Sequence, residues 1–96
     1  MPSSKYIDLT LPTTNTNLVA PANGWYHLYK KAVNVGELVY LGSRNGNQWS
    51  YMEVANANHK DLRVSIPVRK GDLVNVQWTS TGALMYFRFI YAQGEV

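Results

Sequence analysis

The side chains that could carry catalysis or bind a metal are few in this chain and lie far apart. It has two histidines, six carboxylates and no cysteine. His59 lies two residues before Asp61, but a zinc site needs three or four ligands, and no further ligand follows at a suitable spacing. His27 lies inside a strand-like run, where a hydrogen-bonded structural histidine is the expected role. We therefore predict no metal site and no cofactor.

Hydrolytic chemistry has equally little support in the sequence. A glycosidase needs a pair of carboxylates flanking the scissile bond, and Glu53, near Trp49 and Tyr51, is the one acid in an apolar setting. Ser65 is the one serine inside a clean strand-like run, and no nucleophile-elbow motif surrounds any serine. The sequence therefore predicts that the protein is not an enzyme.

A phosphate-binding loop is the first suspicion raised by "SIPVRKGDLVNVQW" (65–78). A P-loop requires a glycine-rich run that ends in Gly-Lys-Ser/Thr at the start of a helix. Here Lys70 precedes Gly71, and a strand-like run follows. Gly71 suits a tight turn with positive φ, and Asp72 can bind the backbone amides of the same turn. We interpret "PVRKGD" as a turn between two strands.

Period-two alternation of apolar residues predicts the elements that must position these side chains. Strand-like runs, separated by turn signals such as Asn-Gly at 45–46, cover residues 6–11, 18–21, 25–33, 37–43, 48–54, 62–66, 72–79 and 83–93. We predict one all-β domain over residues 1–96, an antiparallel β-sandwich of jelly-roll type with about eight short strands. The residues expected to be buried are Ile7, Leu9, Leu28, Leu62, Val64, Ile66, Val74, Val76, Trp78, Phe87 and Phe89.

Some strands are apolar on both faces, which predicts a subunit contact. In "ALMYFRFIY" (83–91) one face carries Tyr86, Arg88 and Ile90, and the other also consists of large apolar side chains. An antiparallel sheet with one face in water should alternate, and this chain has no helices to cover a second face. The alternative is a central strand covered by long loops. Sequence physics alone would favour a dimer, the commonest closed assembly.

Composition limits the partners and the location of the protein. The net charge is +3 and the pI is about 9.3, but the basic residues are scattered, so nucleic acid is not an expected partner. No segment resembles a signal peptide, and no apolar run approaches the roughly 20 residues of a membrane span. We expect synthesis in a cytoplasm and no membrane insertion.

Three stretches resemble the small C-terminal domains of bacteriophage tail fibres and related tail adhesins. They are "LVAPANGWYHLY" (18–29), "IPVRKGDLVNV" (66–76) and "FRFIYAQGE" (87–95), in the order of that family. The resemblance to the trimeric jelly rolls of the C1q and tumour-necrosis-factor type is looser. The resemblance assigns turn geometry, not catalysis, to Ala20, Pro21, Gly24, Gly71 and Asp72.

The same resemblance implies a homotrimeric tip domain of a phage virion, made in the bacterial cytoplasm, that binds a saccharide of the host surface. Tail fibres usually place a long stalk before such a domain, whereas about five residues precede the first predicted strand here. The chain is therefore expected to be either a domain excised from a longer fibre, with an upstream stalk as its partner, or a small stand-alone tip protein. The resemblance selects a trimer over a dimer, and Tyr86, Arg88 and Ile90 are the candidate contact, in which Arg88 should find an acidic or carbonyl partner.

Saccharide binding is expected in two polar loops, because loops on a rigid scaffold concentrate recognition. A flat aromatic ring beside amide and guanidinium groups suits the C–H faces and hydroxyls of a sugar. The candidate residues are Arg44, Asn45, Asn47 and Trp49 in the first loop, and Asn56, Asn58, His59 and Lys60 in the second. Alternatively, these residues serve turns and contacts only. A different function, a small OB-like barrel that stacks single-stranded nucleic acid on exposed Trp and Tyr, fits the pI but not the eight-strand count.

Overall fold

The computed structural model describes residues 2–43 and 50–92, and it confirms the predicted β-sandwich. The eight strands are β1 (Pro2–Asp8), β2 (Thr16–Val19), β3 (Gly24–Lys31), β4 (Leu38–Ser43), β5 (Ser50–Val54), β6 (Asp61–Val68), β7 (Leu73–Trp78) and β8 (Leu84–Ala92). Most strands are made of alternating or β-branched and aromatic residues, which suit a pleated, half-buried surface. The exception is β1, which begins with the polar run Pro-Ser-Ser-Lys, before the predicted start at Tyr6.

The strands form two antiparallel sheets of four. Sheet A has the order β1-β8-β3-β6, and sheet B has the order β2-β7-β4-β5. The chain crosses between the sheets at every connection except the β4–β5 hairpin. Eight strands wound in this way form a jelly roll. The first and last strands are neighbours in sheet A, where Pro2 pairs with Ala92.

The core lies between the two inner faces and follows the predicted alternation closely. Its largest fully buried side chains are Tyr26, Phe87, Phe89, Leu28, Leu41, Leu62, Ile66, Val39, Val74 and Val76. Leu9 and Trp78 are partly buried and pack against this core. Every residue predicted to be buried is therefore in or against the core except one.

Ile7 is 40% exposed, so its predicted burial is wrong. Its register is as expected, because it pairs with Phe89, whose side chain points inward. The strand containing Ile7 is at the edge of sheet A, however, and its extensive contact is with β8 rather than with a strand of sheet B. Alternation predicts the face on which a residue lies, but not whether the opposite sheet reaches it.

The strand before the turn is longer than predicted, because β6 continues through Pro67 to Val68. Proline lacks the backbone N–H that a central strand needs, but β6 is an edge strand, where proline is tolerated. On the same strand, the backbone N–H of Arg63 donates to Glu53 Oε1 at 2.8 Å. Both features reduce the free hydrogen-bonding capacity of this edge.

The connections fall at the two ends of the sandwich. At one end, which we call the Gly71 end, the β2–β3 and β6–β7 turns meet, and Gly71 N–H donates to Ala20 O at 2.9 Å. At the other end, the β3–β4, β5–β6 and β7–β8 connections meet. There Ala32 N–H donates to Lys60 O at 2.8 Å. We call this second end the Lys30 end.

Lys30 is a buried lysine that binds the backbone of the β7–β8 connection at this end. It is 5% exposed, and its Nζ donates to Ser80 O at 2.6 Å and to Gly82 O at 2.7 Å. The same ammonium lies 4.9 Å from the centre of the Trp78 ring. Burial lowers the pKa of Lys30, and the nearby Glu37 carboxylate partly opposes that shift. The β7–β8 connection is thereby held over the end of the core.

Candidate recognition surfaces

The two loops predicted to bind saccharide are attached at opposite ends of the sandwich. Arg44, Asn45, Asn47 and Trp49 lie outside the described residues. The described residues that flank them, Ser43 and Ser50, are at the Gly71 end of the β4–β5 pair. The second loop follows β5 at the Lys30 end. The five residues of β5, at about 3.4 Å per residue, separate the two attachment points by roughly 17 Å.

The second predicted loop is anchored by its own backbone and by one of the candidate side chains. His59 has φ 61 and its N–H donates to Val33 O at 3.3 Å. Asn58 Oδ1 accepts a hydrogen bond from Val35 N–H at 3.2 Å. Asn56, Asn58 and His59 are exposed, and Lys60 is partly buried. One acceptor of Asn58 thus has a structural role, while binding by this loop stays a prediction.

Residues 69–72 of "PVRKGD" form a turn between strands, as predicted, whereas Pro67 and Val68 belong to β6. The acidic residue of the segment stabilises the turn. Gly71 has φ 89, a conformation that glycine adopts at little steric cost. Asp72 Oδ2 accepts a hydrogen bond from Arg69 N–H at 2.9 Å. The backbone of Ala20 bonds to both Gly71 and Asp72, at 2.9 Å in each case. The segments 18–29 and 66–76 therefore meet in one turn cluster.

The outer face of sheet A carries a row of aromatic rings and guanidinium groups, which we call the aromatic–arginine face. Register places its members side by side: Tyr6 opposite Ile90, His27 opposite Arg88, and Tyr29 opposite Tyr86 and Arg63. Its residues are Tyr6, Trp25, His27, Tyr29, Arg63, Tyr86, Arg88 and Ile90. The predicted contact residues Tyr86, Arg88 and Ile90 lie on β8, one of the two central strands of this sheet.

Contacts within this face hold its side chains in place. The Arg88 guanidinium carbon lies 4.2 Å from the centre of the Tyr6 ring and 4.1 Å from that of Tyr86. Arg88 Nε also donates to Asp8 Oδ1 at 2.7 Å, so this arginine already has an acidic partner on the neighbouring strand of its own chain. A partner for it in a subunit contact stays a prediction. Tyr29 and Tyr86 meet edge to face at 5.4 Å.

His27 lies among these groups and is kept in its neutral form. Its ring meets that of Tyr86 edge to face at 5.2 Å. Burial lowers the pKa of His27 below 6.5, and the positive charges of Arg63 and Arg88 lower it further. The aromatic–arginine face therefore presents an uncharged imidazole between two arginines at neutral pH.

The outer face of sheet B carries a hydrogen-bonded set of carboxamides, which we call the amide row: Asn15, Asn17, Asn75 and Gln77. Asn75 Nδ2 donates to Asn15 Oδ1 at 3.1 Å and to Asn17 Oδ1 at 2.9 Å. Gln77 Nε2 donates to Asn75 Oδ1 at 2.7 Å. This row was not predicted, because "PTTNTN" (12–17) has the composition of a loop. The available signal was the polar face of β7, where Asn75 and Gln77 are two residues apart.

The described residues form no enclosed pocket, and they contain no group of three or more His, Asp or Glu side chains close enough to hold a metal ion. Within the same part of the chain, no helix is long and apolar enough to cross a membrane. The candidate surfaces are thus the two open sheet faces and the end loops.

Comparison with known proteins adds no relative: no protein family, no curated protein and no solved structure matches this chain.

Proposed function

We propose that this chain is a non-enzymatic recognition domain of the type found at the tips of bacteriophage tail fibres, which trimerises and binds a saccharide of the bacterial surface. The resemblance of residues 18–29, 66–76 and 87–95 to that family supports the class of protein. The jelly-roll sandwich is compatible with it.

The observation that carries the proposal is the aromatic–arginine face. Trp25, Tyr29, Tyr86 and Arg88 are only partly buried in the single chain, although they form the outer face of central strands. Tyrosine, tryptophan and arginine are enriched at protein interfaces. Because the arginines are already stacked on tyrosines, little side-chain freedom is left to lose on association. This arrangement supports a contact between copies of the chain.

The three-fold symmetry and the ligand class come from the resemblance. A single saccharide site on an open surface should bind weakly, and three copies on one tip supply avidity. The candidate ligand groups are those predicted from the sequence, Arg44, Asn45, Asn47 and Trp49 in the segment between β4 and β5, and Asn56, Asn58, His59 and Lys60 in the loop between β5 and β6. Such a tip would belong to the virion and attach to an upstream stalk.

Light scattering of the purified chain at micromolar concentration tests the assembly. We expect about three times the monomer mass of 10.9 kDa, and a shift toward the monomer mass in Arg88→Ala. Arg69→Ala is the matched control, since Arg69 is exposed in the turn at the Gly71 end. A monomer mass for the wild type would contradict the trimer. A glycan array probed with the oligomer tests the ligand class.

A second candidate function is single-stranded nucleic-acid binding, and one observation favours it. The aromatic–arginine face combines stacking rings with guanidinium groups on an open sheet, the combination that binds unpaired bases. The two-sheet sandwich differs from an OB-like barrel. Support for this function therefore comes from the aromatic–arginine face and not from the fold. Strong retention on immobilised single-stranded DNA that falls steeply with salt would favour it over saccharide binding.

A further inference from the structure

The amide row is a preorganised set of hydrogen-bonding groups on an open surface. Asn75, at its centre, is 3% exposed although it points away from the core. Both of its amide hydrogens and its carbonyl oxygen are used within the row. The carboxamides of Asn15, Asn17 and Gln77 are therefore fixed at one end by Asn75 and are presented to solvent at the other.

The polarity of these bonds determines what the row offers to a ligand. Asn15 and Asn17 bind Asn75 through their oxygens, so each keeps a free NH₂ group. Gln77 binds through its nitrogen and keeps its oxygen as an acceptor. No other hydrogen bond of these three side chains occurs within the described residues. The row thus has donors on one side and an acceptor on the other, as a pair of neighbouring sugar hydroxyls requires.

Tyr40 adds a flat apolar surface to the same site. It pairs with Gln77 across the β4–β7 ladder, and Gly42 pairs with Asn75. A methyl group on Gly42 would overlap the Tyr40 hydroxyl oxygen and lie 2.5 Å from Tyr40 Cζ. The tyrosine ring therefore lies along β4 over Gly42, beside the buried Asn75, and glycine leaves the space for it.

The absence of charge on this face defines the ligand class. The outward residues of the described part of sheet B are Asn17, Val19, Leu38, Tyr40, Gly42, Ser50, Met52, Val54, Leu73, Asn75 and Gln77, and none of them is ionised. A phosphate, a carboxylate or a basic peptide would lose its hydration here without a counter-charge. A neutral polyhydroxyl ligand would exchange water for the fixed amides.

We propose that the amide row and Tyr40 bind an uncharged segment of the saccharide. This inference rests on the proposed function and moves its site from the end loops to the outer face of sheet B. The sugar ring stacks on Tyr40, while vicinal hydroxyls accept from Asn17 and Asn15 and donate to Gln77.

The test uses the full chain, a glycan array, and titration of each hit against three variants. Tyr40→Ala deletes the ring, and Gly42→Ala displaces it without deleting it. Asn17→Asp keeps the oxygen that accepts from Asn75 but removes the free NH₂ group. We expect each variant to bind about tenfold more weakly or worse, the equivalent of one lost interaction. Asn34→Ala, in the exposed loop at the Lys30 end, and Arg69→Ala, in the exposed turn at the Gly71 end, are matched controls that should bind within about twofold of wild type.

The outcomes separate this inference from the function on which it rests. Binding of neutral glycans that is lost in the sheet variants and kept in the loop controls supports both. Binding that survives in the sheet variants, or that is confined to anionic glycans, overturns the inference and leaves the proposed function standing. A wild-type protein that binds no glycan overturns both. Urea unfolding and light scattering accompany each variant, and a changed oligomeric mass in Tyr40→Ala would identify this face as a contact between copies and overturn the inference.

Discussion

Substitution of Lys30 by methionine should destabilise the domain by about 2–4 kcal/mol. The change keeps an unbranched side chain as far as Cε and removes the ammonium that binds Ser80 O and Gly82 O. Two carbonyls then lose their partner, at about 1–3 kcal/mol each, together with the contact to the Trp78 ring, worth about 0.5–2 kcal/mol. Relief of the ammonium's own desolvation offsets part of this loss.

The measurement is equilibrium unfolding in urea followed by tryptophan fluorescence. With a slope of about 2 kcal/mol per molar urea, in the middle of the usual range, the midpoint should fall by roughly 1–2 M. Lys31→Met is the matched control, because the adjacent side chain points outward and makes a half-exposed ion pair with Asp61 at 2.9 Å. Such a pair is worth about 0–1 kcal/mol. Equal and small effects of the two substitutions would refute the structural role given to Lys30.

Three further predictions concern pH and close packing. Hydrogen bonds from loop amides lower the pKa of Glu37 from 4.5 to about 2. The stabilising effect of this carboxylate is therefore present above pH 4.5 and is lost as the pH falls toward 2. Glu37→Gln should flatten the acid limb of the stability profile, the decrease in unfolding free energy over this pH range. Burial and the two neighbouring arginines lower the pKa of His27, because they disfavour its charged form in the folded state. Wild-type stability should therefore fall as the pH drops through 6.5, and His27→Gln should remove that part of the fall. Gly24→Ala places a methyl group against the Ile90 carbonyl of the neighbouring strand, whereas Gly42→Ala meets only a tyrosine side chain that can turn away. Thermal unfolding should therefore show a loss of about 2 kcal/mol or more for the first and under about 1 kcal/mol for the second.

Each of these three has a result that would contradict it. An acid limb that is identical in Glu37→Gln would show that the carboxylate is not bound to the loop in solution. If the stability of His27→Gln changes between pH 7.5 and 5 as much as that of the wild type, the imidazole is well hydrated in the folded state. Equal losses for Gly24→Ala and Gly42→Ala would mean that β3 and β8 can separate as easily as a tyrosine can rotate.

Local patterns predicted the strands well, because alternation of side chains is a property of each strand alone. Phe87 and Phe89 in β8 and Leu62, Val64 and Ile66 in β6 are buried as alternation requires. The positive φ at Gly71 followed from turn chemistry in the same way. These predictions needed no knowledge of which strands are neighbours.

The candidate sites were harder to predict, because they depend on pairing between distant strands. Asn17 and Asn75 are 58 residues apart in the chain and are joined by the β2–β7 register. Tyr6 and Arg88 meet only because the first strand pairs with the last. A single sequence gives the face of each residue in its own strand, but it does not give the neighbour opposite.

The pairing of Pro2 with Ala92 also determines how the domain can be joined to other proteins. Paired residues on adjacent antiparallel strands have Cα atoms about 4.5–5.5 Å apart, so the first and last strands begin and end side by side at the Gly71 end. A host protein could carry the whole domain within one surface loop, since entry and exit would span no more than a hairpin. Because the same geometry places the Lys30 end farthest from any such attachment, fusions at either terminus should leave the Asn56–Lys60 loop exposed and separate it from the fusion partner by the length of the sandwich.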